Sequence, residues 1–311
     1  MMEDLIVTGP MLANVMEDLE LNFHVHKYWE AEDKQEFLAG LPDTRFLATD
    51  GHVGCSELLM DALTKLKIIA CFGVGVDAID LPAAKARGIR VTNTPDVLND
   101  AVAELAMGLL LALSRKIVDT DKHIRNGQWL TKGYPLTAEL TGKTIGILGL
   151  GRIGKEIARR AQAFKMKVVY HGRNEKQFEP YTYYRDLEEM ASEVDWLVAV
   201  VPGGDSTEGL VNRDVMNALG CSGGLVNLGR GSLVDENAMV EMLKSGELGG
   251  AALDVFENEP EMSKELWSMP NVVLSPHMGS ATTKTRWAMA DLVVRNLIAY
   301  RDNMPLLTPV I

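Results

Sequence analysis

Short strand-like runs recur along this chain at residues 4–7, 23–26, 45–48, 68–71 and 90–91, and helix-patterned stretches lie between them near 12–19, 56–63 and 82–86. A second series follows at 144–148, 167–170, 196–201, 224–227, 250–253 and 272–274. Near-continuous apolar strands joined by amphipathic crossovers predict parallel sheets covered by helices on both faces. The two series join through Asn93-Thr94-Pro95 and a long helix predicted over 99–115, and an amphipathic helix over 282–300 is expected to carry the chain back to the first series. The expected class is therefore α/β with two domains, one of residues 1–96 and 284–311, the other of residues 97–283. A length of 311 residues suits that division, because single cores stop growing at about 250–300 residues.

One strand-to-helix junction carries chemistry. The strand over 144–148 runs into Gly149-Leu150-Gly151-Arg152-Ile153-Gly154, and a helix follows with Ile153, Ile157, Ala158 and Ala161 on its apolar side and Lys155, Glu156, Arg159 and Arg160 on the other. Three glycines at this spacing often mark only a turn, but between a buried strand and a helix they form a dinucleotide fingerprint. Gly149 allows the tight turn, Gly151 lets a pyrophosphate approach the backbone, and Gly154 lets the helix pack close to the sheet. The N–H groups at the helix start, at Arg152, Ile153 and Gly154, and its positive dipole end would hold the phosphates.

The ribose end is read one strand later. An NAD site places Asp or Glu about 20 residues past the glycines, where it accepts from the 2′-hydroxyl. Here the strand over 167–170 runs into His171, Gly172, Arg173 and Asn174, with no acid at its end. A guanidinium fork suits a 2′-phosphate, so NADP (as NADPH) is the expected cofactor. Glu175 follows closely and reads as a solvated loop charge; the competing reading makes Glu175 the ribose acceptor and Arg173 an ordinary surface arginine.

Charge then narrows the partners. A formal net charge of −12 with no offsetting Lys/Arg cluster opposes phosphate backbones and anionic lipid surfaces, so neither nucleic acid nor a membrane is expected as a partner. Anionic substrates must be captured by a few aimed donors. Cys55, Cys71 and Cys221 are scattered and odd in number, as suits a reducing cytosol. The histidines are dispersed, and His24 and His26 alternate on a predicted strand with no third partner nearby in the sequence, so no metal site is expected. The first residues are acidic where a secretory signal would be basic, and the longest apolar segment, 105–113, is too short for a bilayer and reads as a buried helix. A cytoplasmic location is expected.

Three further signals stand where successive parallel strands end, which is where ligands bind in open α/β sheets. Arg230 leaves the strand over 224–227 between Gly229 and Gly231, Glu259 lies in the loop after 250–253, and His277 follows 272–274. Reduction of a ketone by hydride needs a proton for its oxygen, a donor to polarise it, and an anchor for an adjacent carboxylate. His277 can give the proton, Glu259 can hold the imidazole in its protonated form, and Arg230 can bind carboxylate and carbonyl through its fork. Taken singly these would be a loop histidine, a cap before a proline and a surface ion pair; their order downstream of a cofactor fingerprint joins them.

The stretches 149–154, 227–235, 254–260 and 277–286 resemble the signatures of the D-isomer-specific 2-hydroxyacid dehydrogenases, and residues 72–80 are similar to that family's carboxylate-binding loop. The likeness covers nearly the whole chain and is greatest to the NADPH-dependent glyoxylate/hydroxypyruvate reductase branch. It implies a Rossmann-type doubly wound parallel sheet plus a smaller flavodoxin-like substrate domain, with the active site in the cleft, and a homodimer built through helices near 99–126. It also implies that the N–H groups of Val74 and Gly75 grip the substrate carboxylate, beside Arg230 and His277. On the cofactor side it implies Thr207, Leu228, Asp254 by the nicotinamide amide, and Gly279 near the nicotinamide ribose. Trp129 resembles an aromatic that approaches the partner subunit's active site, with simple interface packing as the other reading. The chain departs from the family at Gly204, where a Thr is frequent, so one donor to the cofactor is missing there.

The substrates this implies are small 2-oxo acids such as glyoxylate and hydroxypyruvate. The polar, small loop Thr49-Asp50-Gly51-His52-Val53-Gly54 favours short or hydroxylated acids, although His52 could equally be solvated. The alternatives are a reductase of larger 2-keto acids, 2-ketogluconate or hydroxyphenylpyruvate, and a non-catalytic dinucleotide-sensing scaffold.

Overall fold

A computed structural model describes residues 2–311, which divide into two compact units: the residues up to Leu98 together with Thr282–Ile311, and Asn99–Ala281. The first unit carries strands β1 (Asp4–Val7), β2 (His24–Lys27), β3 (Phe46–Asp50), β4 (Ile68–Phe72) and β5 (Arg90–Thr92), all parallel, in the order β2-β1-β3-β4-β5. Leu5, Ile6, Val7, Leu47, Ile68 and Ile69 are fully buried, as strands covered on both faces must be. Helices Glu57–Ala62 and Leu81–Ala86 cover one face with Met60, Ala83 and Ala84. Ser56 and Asp80 cap them, accepting from the N–H of Leu59 and Ala83. Helix Thr283–Arg301 belongs to this unit, packs its Tyr300 ring against Phe46, and is followed by a C-terminal segment whose Pro309 bridges to Thr92.

The second unit carries β6 (Thr144–Leu148), β7 (Lys167–His171), β8 (Thr182–Tyr184), β9 (Trp196–Ala199), β10 (Gly224–Asn227), β11 (Gly250–Leu253) and β12 (Val272–Leu274). Their order is β12-β11-β10-β9-β6-β7-β8, all parallel. The chain runs outward from β6 to β8, then returns to place β9 on the other side of β6. That reversal leaves a crevice at the carboxyl ends of β6 and β9, the position where such sheets bind ligands. The apolar run 105–113 lies inside helix Asn99–Ser114, with Leu109, Leu110 and Leu113 buried. No helix among the described residues is long and apolar enough to cross a membrane.

The long helix expected over 99–115 spans Asn99–Ser114; Lys116 then adopts left-handed backbone at φ 51°, and a separate helix, Ile117–Arg125, starts after it. Two other expectations change. Strand β8 has no counterpart in the sequence pattern, since its short Thr-Tyr-Tyr run is an edge with neither apolar continuity nor clear alternation. The histidines at 24 and 26 do have a third polar partner: the parallel register sets Asp4 across from His24, and Asp4 Oδ1 lies 2.7 Å from His26 Nε2. Sequence distance concealed this, because parallel strands are joined by a crossover of about a dozen or more residues, so the partners of a pairing stand far apart along the chain.

Candidate active site

The glycine loop is built as the fingerprint requires. Gly149 sits at φ 103°, and a Cβ there would stand 2.7 Å from Val201 Cγ1. A Cβ on Gly154 would stand 2.1 Å from the Gly149 carbonyl oxygen, so the first turn of helix Arg152–Ala163 closes directly on the loop. Gly151 is the N-cap residue of that helix, and a Cβ on it would meet nothing within 4 Å. The space above the loop is therefore open, and the first-turn N–H groups at Arg152, Ile153 and Gly154 have no helical carbonyl to bind. These residues fit a pyrophosphate.

At the end of β7, the His171 carbonyl accepts from the Gly149 N–H at 2.9 Å, which ties the ribose end to the phosphate end. Tyr183 of β8 donates to the Gly172 carbonyl at 3.1 Å, and Tyr170 Oη accepts from the Lys176 N–H at 2.7 Å. The edge strand thus shapes the loop that carries Arg173, Asn174 and Glu175, all three exposed. Neither Arg173 nor Glu175 makes an ion pair among the described residues, so the guanidinium is available to an anion. Gly204 sits at φ 123°, which a threonine would adopt only with strain, and Thr207 Oγ1 donates to the Pro202 and Gly204 carbonyls at 2.8 and 3.0 Å. The Thr207 hydroxyl thereby clasps its own turn.

The three strand-end loops interlock. After β10, Leu228 is buried and the Asn227 side chain turns the loop on itself, donating to the Arg230 carbonyl at 2.8 Å and accepting from the Gly229 N–H at 3.1 Å. A Cβ on Gly231 would fall 1.9 Å from the Phe256 carbonyl carbon, so only glycine lets this loop press against the one after β11. That second loop carries Glu259, whose Oε1 accepts from the Phe256 N–H at 3.0 Å while Oε2 pairs with His277 Nδ1 at 2.7 Å. Both partners are partly buried.

His277 itself stands at φ 53°, a left-handed conformation costing about 1–2 kcal/mol for a residue with a Cβ. Asp254 holds it there. The aspartate is buried; its Oδ1 accepts from Ser275 Oγ at 2.5 Å and the Met278 N–H at 2.7 Å, its Oδ2 accepts from the Gly279 N–H at 2.8 Å, and its carbonyl accepts from the His277 N–H at 2.8 Å. The sequence reading placed Asp254 toward the cofactor and did not anticipate this bracing of the His277 loop, nor the Asn227 clamp. An Asn or Asp at a strand end just before a tight loop was the available signal.

In the first unit, the loop after β4 has its carbonyls tied down. The Gly73 oxygen accepts from the Thr94 N–H at 2.9 Å, the Val74 oxygen from Asn93 Nδ2 at 2.9 Å, and the Gly75 oxygen from Cys71 Sγ at 3.6 Å. The Gly73 N–H donates to Thr94 Oγ1 at 3.1 Å. The N–H groups of Val74 and Gly75 make no hydrogen bond among the described residues. A loop bound through its oxygens that keeps two adjacent donors unused suits a carboxylate. Beside it the Arg286 guanidinium lies 5.5 Å from the Phe72 ring centroid, and burial lowers its pKa from the ordinary arginine value.

A family model described as "D-isomer specific 2-hydroxyacid dehydrogenase, NAD binding domain" matches residues 107–279, and the chain belongs to that family. The chain is 46% identical over 303 residues to hydroxyphenylpyruvate reductase of Plectranthus scutellarioides, covering 97% of each. It is 42% identical over 313 residues to 2-ketogluconate reductase of Gluconobacter oxydans, covering 99% of this chain and 98% of that one. The crystal structure of NADPH-dependent glyoxylate/hydroxypyruvate reductase from Sinorhizobium meliloti, in complex with NADP and malonate, superposes with a TM-score of 0.93 at 44% identity, covering 100% of this chain and 97% of that one.

The nucleotide loop can be tested apart from any turnover. Overpacking a close approach costs about 1–3 kcal/mol, so Gly154→Ala is expected to weaken NAD(P)H binding in a fluorescence titration by about 5- to 150-fold. Gly108→Ala, where a Cβ meets nothing within 4 Å, should leave binding unchanged. Equal affinities for Gly154→Ala and the unaltered chain would contradict the role given to that contact.

Proposed function

We propose that this protein reduces small 2-oxo acids, with glyoxylate and hydroxypyruvate foremost, to D-2-hydroxy acids with NADPH. The observation that carries this reading is the 2.7 Å contact of His277 Nδ1 with Glu259, itself oriented by the Phe256 N–H. With Nδ1 held, the opposite ring nitrogen is the one aimed to deliver a proton. The bound nicotinamide would supply the hydride. As the carbonyl carbon accepts that electron pair, its oxygen takes the proton from His277, and Glu259 stabilises the imidazole through the step. Arg230 polarises the carbonyl and pairs with the carboxylate, which the N–H groups of Val74 and Gly75 also bind.

On this reading the first unit is the substrate domain and the second the dinucleotide domain. Gly149, Gly151, Arg152, Ile153 and Gly154 hold the pyrophosphate, Gly172, Arg173 and Asn174 the 2′-phosphate, and Thr207, Leu228, Asp254 and Gly279 flank the rest of the cofactor. The relative bound to NADP supports the choice of dinucleotide. Ile117, Ile124, Trp129 and Leu130, on and after the second helix of the 99–126 region, are exposed apolar side chains, and we assign them to a homodimer interface. The location that goes with these roles is the cytosol. There Cys55, its thiol pushed up to about 12 by burial, would stay unreactive.

The larger 2-oxo acids form the second reading, supported by the similarity to hydroxyphenylpyruvate and 2-ketogluconate reductases. Steady-state oxidation of NADPH with glyoxylate, hydroxypyruvate, 2-ketogluconate and hydroxyphenylpyruvate separates them by kcat/KM. No turnover with any of the four would leave only a dinucleotide-sensing scaffold and end the catalytic reading.

Loss of a positioned proton donor costs about 10²–10⁴ in rate, so His277→Ala should lower kcat by that range with NADPH affinity nearly unchanged. An intact kcat would remove His277 from the proton path. The charge-assisted contact to the 2′-phosphate should be worth about 10- to 150-fold in kcat/KM for NADPH over NADH. Arg173→Ala should erode that preference chiefly through KM, since the contact is equal in ground and transition states. A wild-type preference for NADH would assign the ribose to Glu175 instead.

A further inference from the structure

We propose that Asp4, His24 and His26 form a binding site for a divalent transition metal of the zinc class, at the edge of the first unit's sheet. Strand β2 is the edge strand, and its register with β1 sets Asp4 opposite His24 and Ile6 opposite His26. Residues two apart on a strand face the same side, so both imidazoles and the carboxylate stand over one face. Asp4 Oδ1 lies 2.7 Å from His26 Nε2 and 3.3 Å from His24 Nδ1, and the possible ligand atoms all lie within 4.8 Å of one another.

Two of the three ligand separations are close to what coordination needs, and the third, His24 to His26, is at most 4.8 Å. With ligand bonds of about 2.0–2.1 Å, neighbouring ligand atoms on a tetrahedral ion stand about 3.3 Å apart. The His24 to Asp4 separation already has that value, and the His26 to Asp4 separation needs to open by only about 0.6 Å. The His26 ring is set in place against the Phe37 edge, with centroids 6.5 Å apart. The His24 side chain is 71% exposed, which leaves the remaining coordination positions to water. Two imidazole nitrogens and one carboxylate oxygen suit Zn²⁺ and its neighbours in the first transition series, and not Mg²⁺ or Ca²⁺, which take oxygen sets.

The site lies at the amino ends of β1 and β2, whereas the Val74 and Gly75 loop leaves the carboxyl end of β4. Its role is therefore to pin the edge strand rather than to take part in oxo acid chemistry. An ion bound only by the folded chain stabilises it by mass action.

The test is calorimetric titration of the chelator-treated full chain with ZnCl₂, in parallel with His24→Ala and Asp4→Asn. His24 is exposed and the asparagine is isosteric, so both variants should fold, which their circular dichroism checks. The unaltered chain is expected to bind one equivalent of Zn²⁺ more than either variant, or the same number with at least a tenfold lower Kd at one site, and Zn²⁺ should raise its Tm but not theirs. Equal stoichiometry and affinity in all three chains, no Zn²⁺ bound by the unaltered chain, or the same Tm rise produced by MgCl₂ would each overturn the proposal.

Discussion

The buried carboxylate of Asp254 accepts from Ser275 Oγ and from the N–H groups of Met278 and Gly279, and the placement of the proposed proton donor follows from that set. A carboxylate taken out of water must be repaid in hydrogen bonds, and three donors from a single loop meet that demand. The loop is then fixed at each end of His277, whose own N–H donates to the Asp254 carbonyl. A left-handed histidine, which would relax on a free loop, is held where its Nδ1 meets Glu259. Glu259 is placed in turn by Phe256, against which only a glycine at 231 can fit. Arg230 is adjacent to that glycine. One buried acid and one glycine thus tie three strand ends into a single rigid arrangement.

Rigidity matters here because the chain as a whole is poorly disposed toward its proposed ligands. A net charge of −12 repels both a nicotinamide dinucleotide and an oxo acid at long range. The compensating positive potential is local and mostly backbone: the helix start after Gly151, and the N–H groups of Val74 and Gly75 in a loop whose oxygens are bound on the protein side. Fixed N–H dipoles need no reorganisation when charge arrives. On the proposed reading, Arg230 and Arg173 add side-chain charge where a forked donor would match a carboxylate or a phosphate.

The parallel strands and the nucleotide loop were legible because their signals are local, apolar runs of four or five residues and three glycines within six. Candidates such as Arg230, Glu259 and His277 were legible by their place after successive strands. What escaped was whatever depends on register or on loop closure. The bracing by Asp254 joins it to groups 21 to 25 residues further on, which sequence spacing does not bring together, and the clamp from Asn227, though it reaches only two and three residues on, exists only once its loop has closed. Asp4 reaches His24 only through parallel pairing, and strand β8 forms because β7 offers it an edge. Gly204 looked like a lost donor, yet its φ of 123° makes it the residue that lets the turn clasped by Thr207 form.

The central claim is that Asp254 acts on the reaction by holding the His277 loop, and Asp254→Asn tests it most directly. The amide retains one acceptor and presents an N–H₂ group to donors that need the other. Kinetics with NADPH and the best oxo acid substrate, together with hydrogen exchange at Met278 and Gly279, read both halves of the claim. The account predicts faster exchange at those two amides and a fall in kcat of about 10²-fold, the usual consequence of misplacing a reacting group by about 1 Å. An unchanged kcat with the two amides deprotected would contradict it.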